Sequence, residues 1–108
     1  MTNLTNKVAI VTGASKGIGS GIAEAFAAAG ARVAVNYSSD RNGADRLVKT
    51  IVDSGGKAIA VGADVSKATD VSRLFQEVSA AFGRLDILVN NAGVFRLGST
   101  LAPAAVHN

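Results

Sequence analysis

Four short apolar runs, separated by three stretches of helical length, restrict this chain to few folds. The runs are Val8 to Thr12, Arg32 to Tyr37, Lys57 to Val61 and Asp86 to Asn90. In the first, apolar residues stand at successive positions instead of alternating with polar ones. That pattern fits a strand buried on both faces, as in a parallel sheet covered by helices. The first intervening stretch, from about Ile18 to Ala29, carries Ile18, Ile22, Ala25, Phe26 and Ala29 at helical spacing. The second, from Arg41 or Asn42 to Ser54, carries Ala44, Leu47, Val48, Ile51 and Val52. The third, capped by Ser66 or by Thr69-Asp70, carries Val71, Leu74, Phe75, Val78 and Phe82. Gly30, Gly55-Gly56 and Gly83 end the three stretches, since glycine tolerates the backbone turn that closes a helix. The order is β-α-β-α-β-α-β, so an α/β fold with a parallel sheet between helical layers follows. Right-handed crossovers leave few topologies open. The 108 residues make one domain. The pattern stops after Gly93. Residues 94–108 read as an irregular tail, within which Pro103 could begin a short helical turn.

The first run leads into Thr12-Gly13-Ala14-Ser15-Lys16-Gly17-Ile18-Gly19. Strand, glycine loop and helix is the context a dinucleotide-binding turn requires. Gly13, Gly17 and Gly19 would let the backbone turn sharply and let a pyrophosphate approach without meeting a Cβ. The following helix begins with free N–H groups and a partial positive charge, which suits a phosphate. On this reading a bulky residue at Gly17 or Gly19 blocks the ligand before it disturbs the fold. The glycines alone also fit a tight turn with no ligand. The spacing is Gly-x-x-x-Gly-x-Gly, not Gly-x-Gly-x-x-Gly. A P-loop fits poorly, because Lys16 precedes Gly17 and no Gly-Lys-Ser/Thr ends the loop.

Together, Thr12-Gly-x-x-x-Gly-x-Gly19, Asp64-Val65 and Asn90-Asn91-Ala92-Gly93 resemble the short-chain dehydrogenase/reductase family. The three motifs stand in the family's order. The resemblance covers Asn6 to Leu97, the first half of the family's usual domain. It implies a Rossmann-like three-layer sheet with strand order 3-2-1-4 and a nicotinamide dinucleotide cofactor. It also implies hydride transfer between that cofactor and a carbonyl or alcohol carbon. By the same resemblance Ser15, Lys16 and Ile18 join the three loop glycines in the cofactor site. Asp64 would face the adenine amino group, with the Val65 amide assisting. Asn90 would tie strands together, while Ala92 and Gly93 leave room for the cofactor ribose. Asp64 could equally serve as a turn or capping residue.

Cofactor choice should be read at the end of the second strand. An NAD-preferring site carries an acid there, about 20 residues past the glycine loop, bonded to the ribose 2′-hydroxyl. Here the place is Tyr37, flanked by Asn36, Ser38 and Ser39, and the nearest acid is Asp40. A carboxylate at Tyr37 would repel a 2′-phosphate, so its absence favours NADP over NAD. Lys16 offers a cation to that phosphate, Ser38 and Ser39 offer hydroxyls, and Arg41 is a second possible cation. Alternatively, Lys16 is simply an exposed lysine and the serines begin a turn.

No catalytic residue is assigned. In the family, a serine and then a tyrosine followed four residues later by a lysine supply the acid/base chemistry. These lie downstream of Asn-Asn-Ala-Gly. The only tyrosine, Tyr37, has Arg41 four residues on and stands at the wrong place, and Ser99 comes too early. The chain is therefore expected to be a cofactor-binding half, inactive by itself. The alternative is a non-catalytic, truncated nucleotide-binding or self-associating module.

The remaining expectations are mostly exclusions. With no cysteine there is no disulfide, thiolate metal site or cysteine nucleophile, and no metal site is assigned. The net charge is +3, but the basic residues are scattered singly, so no nucleic-acid or membrane footprint emerges. No apolar run is long enough to span a bilayer. Met1 to Lys7 lacks the apolar core of a signal peptide, which leaves a cytoplasmic protein as the default. Without a fifth parallel strand, Ile87-Leu88-Val89 would form an open apolar edge, and the sheet face over the first and fourth strands would be uncovered. Homo-oligomerisation through that edge and those faces is expected.

Overall fold

A computed structural model of the chain describes residues 3–90 and 93–96. The elements are β1 (Val8–Val11), α1 (Gly17–Ala28), β2 (Arg32–Tyr37), α2 (Arg41–Asp53), β3 (Lys57–Gly62), α3 (Ala68–Phe82), β4 (Ile87–Asn90) and β5 (Gly93–Arg96). They build one sheet in the order β3-β2-β1-β4-β5. The first four strands are parallel in the order 3-2-1-4, a Rossmann-like α/β fold. β1 lies at the centre, where Val11 pairs with Val35 on one side and Val89 on the other.

The pleat divides the apolar residues between two layers. Val8 and Ile10 of β1, Ala34 of β2, Val61 of β3 and Leu88 of β4 face Leu74 and Val78 of α3. Val11, Val33, Val35 and Val89 point the other way, toward Ala23 of α1 and Ala44, Leu47 and Ile51 of α2. Every residue of β1 is buried, so its run of apolar positions reflects coverage on both sides. Burying Leu74 or Val78 contributes on the order of 1.5–3 kcal/mol each, enough to hold α3 flat on the sheet.

The helical faces differ from expectation at single positions. α1 turns Gly19 and Ala23 inward, a pair of small residues four apart that brings its backbone close to the sheet. Ile18, one residue or about 100° round the helix from Gly19, is consequently 83% exposed, and Ala25 is exposed as well. On α2, Ile51 is buried and its neighbour Val52 points outward at 50% exposure. α3 behaves as expected along Leu74, Phe75, Val78 and Phe82, and Gly83 closes it in the left-handed conformation, φ 81°. Its cap is Lys67, with no side-chain hydrogen bond, and not Ser66 or Thr69-Asp70.

Two expectations about the fourth strand are corrected. Residues 94–96, which read as loop, belong with Gly93 to strand β5, which runs antiparallel to β4 and pairs Asn90 with Gly93 and Ile87 with Arg96. The edge of β4 is therefore occupied by the chain's own next residues. Closing so short a connection costs little loop entropy compared with recruiting a second copy. Nor is the face over β1 and β4 open. Val8, Ile10 and Leu88 are at most 2% exposed and share one cluster with Leu74, Val78 and Leu85. Pro103 and the rest of the tail lie outside the described residues.

Candidate functional site

The connections from β1 to β2 and β2 to β3 step one way across the sheet, and the connection to β4 returns to the far side of β1. The gap between β1 and β4 is thus the point where strand order reverses. In open α/β sheets ligands collect beyond the carboxyl ends of strands at such a point. The segment leaving β1 there is the glycine loop.

That loop is fastened at its start and open at its end. Thr12 donates its backbone N–H to the Val89 carbonyl at 2.9 Å, and its hydroxyl reaches the same oxygen at 3.3 Å. Gly13 N–H donates to Asn36 Oδ1 at 3.3 Å, and Ala14 N–H to the Asn36 carbonyl at 2.9 Å. Anion-binding capacity therefore lies further on, in the first turn of α1. There Lys16 is the N-cap, in extended conformation, and it makes no side-chain cap bond. The first N–H groups of a helix have no partner within the helix, and they carry the positive end of its dipole.

Gly17 and Gly19 do different jobs. Gly17 has φ 68°, and nothing lies within 4 Å of where its Cβ would stand, so this position faces open space. At Gly19 a Cβ would lie 2.5 Å from the Gly13 carbonyl oxygen and 3.1 Å from Ala14 Cα. A side chain at Gly19 therefore disturbs the loop itself, contrary to the expectation that it would block a ligand before disturbing the fold. Close packing of α1 on its own loop excludes the Cβ.

Asn36 also departs from its expected place among the cofactor contacts. It is 2% exposed, and its amide is spent inside the protein. Oδ1 accepts from Gly13, while Nδ2 donates to the carbonyls of Val61 and Ala63 at 3.2 Å each. One side chain thus ties the end of β1 to the end of β3. Tyr37 is half-buried with its ring over Gly62, where a Cβ would meet the ring at 2.9 Å. Ser38 and Ser39 are exposed, and no carboxylate stands at Tyr37. The nearest one, Asp40, caps α2 by accepting from Gly43 N–H at 3.0 Å. The roles of Asp40 and Gly43 were missed from sequence. A Cβ at Gly43 would come within 2.8 Å of the Ser15 carbonyl, so α2 docks its first turn directly on the glycine loop. The signal available was an aspartate three residues before a glycine at a helix start.

Beyond β3, Asp64 Oδ1 accepts from Ser66 N–H at 3.0 Å and from the Ser66 hydroxyl at 2.6 Å. The hydroxyl, then the amide, hold the Asp64 carboxyl below the usual carboxylate range against the small opposing effect of burial, with the Lys67 charge assisting. Asp64 is thus a turn residue, and at the same time it presents an ionised group at the sheet's carboxyl edge. Val65 beside it is 46% exposed. Asn90, half-buried, ends β4 opposite Gly93. Ala92 lies outside the described residues.

A doubly wound sheet with a glycine loop at its reversal point defines a nucleotide-binding class of α/β domain. Comparison with known proteins narrows this. Residues 7–106 match the short chain dehydrogenase family, and the chain belongs to it. It is 54% identical over 99 residues to an uncharacterized oxidoreductase of Methylorubrum extorquens, covering 92% of this chain and 40% of that protein. It is 50% identical over 96 residues to a 3-oxoacyl-[acyl-carrier-protein] reductase of Synechocystis, covering 89% of this chain and 39% of the relative. Among solved structures, a short chain dehydrogenase of Burkholderia cenocepacia in complex with NADP superposes with a TM-score of 0.79 at 43% identity. That match covers 96% of this chain and 43% of the other. The chain thus spans about two fifths of the length of these relatives. The family is one of oxidoreductases using a nicotinamide dinucleotide. No described helix is long and apolar enough to cross a membrane.

Proposed function

We propose that this chain is the cofactor-binding part of an NADP-dependent short-chain dehydrogenase/reductase. The observation that carries the reading is the uncapped first turn of α1, entered through open space at Gly17, beside a β2 end that bears no carboxylate. A pyrophosphate would lie at that turn, contacting Ser15, Gly17 and Ile18. The exposed Ile18 offers an apolar surface at the mouth of the site. A 2′-phosphate would meet Lys16, Ser38 and Ser39, with no acid at Tyr37 to repel it. Adenine would lie against Asp64 and Val65, and the cofactor ribose near Asn90 and Gly93. The Burkholderia relative, solved with NADP, supports the same choice of cofactor.

When bound, the nicotinamide would supply or receive a hydride at a carbonyl or alcohol carbon. The residues of this chain bind and orient it. The family's Tyr-x-x-x-Lys pair does not occur in these 108 residues, so the chain alone should bind without turnover. Calorimetric titration with NADP and, separately, NAD tests the reading. NADP binding more tightly than NAD supports it. Equal affinities would remove the assignment of Lys16 and the serines, and failure of both to bind would remove the proposal.

A further inference from the structure

The turn carrying Asp64 is held from a second direction. Arg73 Nη2 on α3 donates to the Gly62 carbonyl at 2.9 Å. Asp70 Oδ2, one turn earlier on the same helix, accepts from the Asp64 backbone N–H at 2.8 Å. The two side chains also face each other, with Arg73 Nη2 at 3.7 Å from Asp70 Oδ2. Between these ends, Ala63 N–H donates to the Tyr37 carbonyl at 3.0 Å and the Ala63 carbonyl accepts from Asn36. The Asp64 carbonyl accepts from Lys67 N–H at 3.0 Å. The backbone from Gly62 to Asp64 is thereby engaged at each of these groups before any ligand arrives.

An acid in the first turn of a helix ordinarily serves that helix's own free N–H groups. Asp70 instead reaches back to the strand end, and Ser66 does the same to the Asp64 carboxylate, while Lys67, the N-cap of α3, makes no side-chain cap bond. The geometry points to Asp70 and Arg73 as positioning residues that fix the Gly62–Asp64 turn, so that Asp64 and Val65 meet an adenine ring without rearranging. This rests on the dinucleotide reading above. Neither residue touches the cofactor. They act through the backbone that presents Asp64.

The test uses the 108-residue chain and the variants Asp70→Ala, Asp70→Asn and Arg73→Ala, with two probes, 5′-AMP and inorganic pyrophosphate, titrated by NMR. Loss of a hydrogen bond to an ionised acceptor is large enough to change an equilibrium about tenfold. Asp70→Ala should accelerate amide exchange at Asp64 about tenfold and weaken 5′-AMP by a similar factor. Pyrophosphate, held at the α1 turn, should be unaffected. Asp70→Asn keeps an acceptor oxygen and should restore most of both properties. Arg73→Ala should show a smaller loss in the same direction. Unchanged Asp64 exchange in Asp70→Ala, or an equal loss of both probes, overturns the assignment. If the unmodified chain binds neither probe, the dinucleotide reading falls and the adenine role falls with it. Exchange at Asp64, measured without ligand, still decides whether Asp70 holds the turn.

Discussion

Two glycines of α1, two positions apart, should respond to the same substitution with opposite sign. At Gly21 nothing lies within 4 Å of where an added methyl would stand, and the residue is exposed on the helix surface. Gly21→Ala should stabilise the chain by about 0.5–1 kcal/mol, because alanine loses less conformational freedom in a helix. Gly19→Ala gains the same propensity but puts its methyl 2.5 Å from the Gly13 carbonyl oxygen. Reaching an ordinary contact of about 3.4 Å requires a displacement of about 0.9 Å, the difference between those two distances. The oxygen belongs to backbone fixed by the hydrogen bonds of Gly13 and Ala14 to Asn36, so it cannot move alone. Forced overpacking of this kind costs about 1–3 kcal/mol, which outweighs the propensity gain. At the middle of both ranges the net loss for Gly19→Ala is about 1 kcal/mol, and a domain of this size loses about 4–8 °C in Tm per kcal/mol. Thermal unfolding followed by circular dichroism should place Gly21→Ala above the parent and Gly19→Ala below it. A Gly19→Ala chain melting at or above the Gly21→Ala chain would refute the idea that this glycine exists for the approach of α1 to its loop.

Removing the Asn36 amide should also be costly. Asn36→Ala leaves the part-buried Gly13 N–H and the buried Val61 and Ala63 carbonyls without that partner, and at about 1–3 kcal/mol for each of the two buried groups the loss should be about 2 kcal/mol or more in urea unfolding. A loss under about 1 kcal/mol would show that water substitutes for the amide. Lys16→Ala should weaken NADP about tenfold, as expected for one charge-assisted contact, while leaving NAD unchanged. An equal loss for both would place Lys16 on the shared pyrophosphate instead. Acid stability should depend on Asp86. Burial acts to raise its carboxyl, but hydrogen bonds from Arg84 and from Val8 N–H, with the charges of Arg84 and Lys7, hold it below the usual value. A carboxyl lowered by folding stabilises the native state above its unfolded pKa, near 4, and that stability is lost as pH falls through the folded value. Asp86→Asn should flatten the loss of stability below about pH 4, and an unchanged acid slope would count against this role.

The alternation of apolar runs with amphipathic stretches was enough to determine four parallel strands and three helices. Each element draws its pattern from the side it must bury, and that pattern is written locally. The glycine loop was legible for the same reason, since glycine takes the φ of 68° at Gly17 with no Cβ to clash. Asp64 was legible as a position, and so was the choice it poses between turn and ligand, because both readings follow from a carboxylate at a strand end.

The tertiary structure decided what those residues touch. Periodicity marked Ile18 as core, but the rotation of α1 is set by the small pair Gly19 and Ala23 against the sheet, and no local pattern states how closely a helix will approach. Asn36 lies next to the expected recognition position in sequence, yet its neighbours in space come from β1 and β3, and these partners consume its amide. The loop reading of residues 94–96 gave way to a fifth strand because β4 presented an unpaired edge, a demand that arises only once the sheet is assembled. Gly43 against Ser15, and Asp70 and Arg73 against the turn at Asp64, are likewise contacts between distant elements. Sequence determined the elements and the chemistry they could carry. Packing determined which polar groups were already spent and which were left for a ligand.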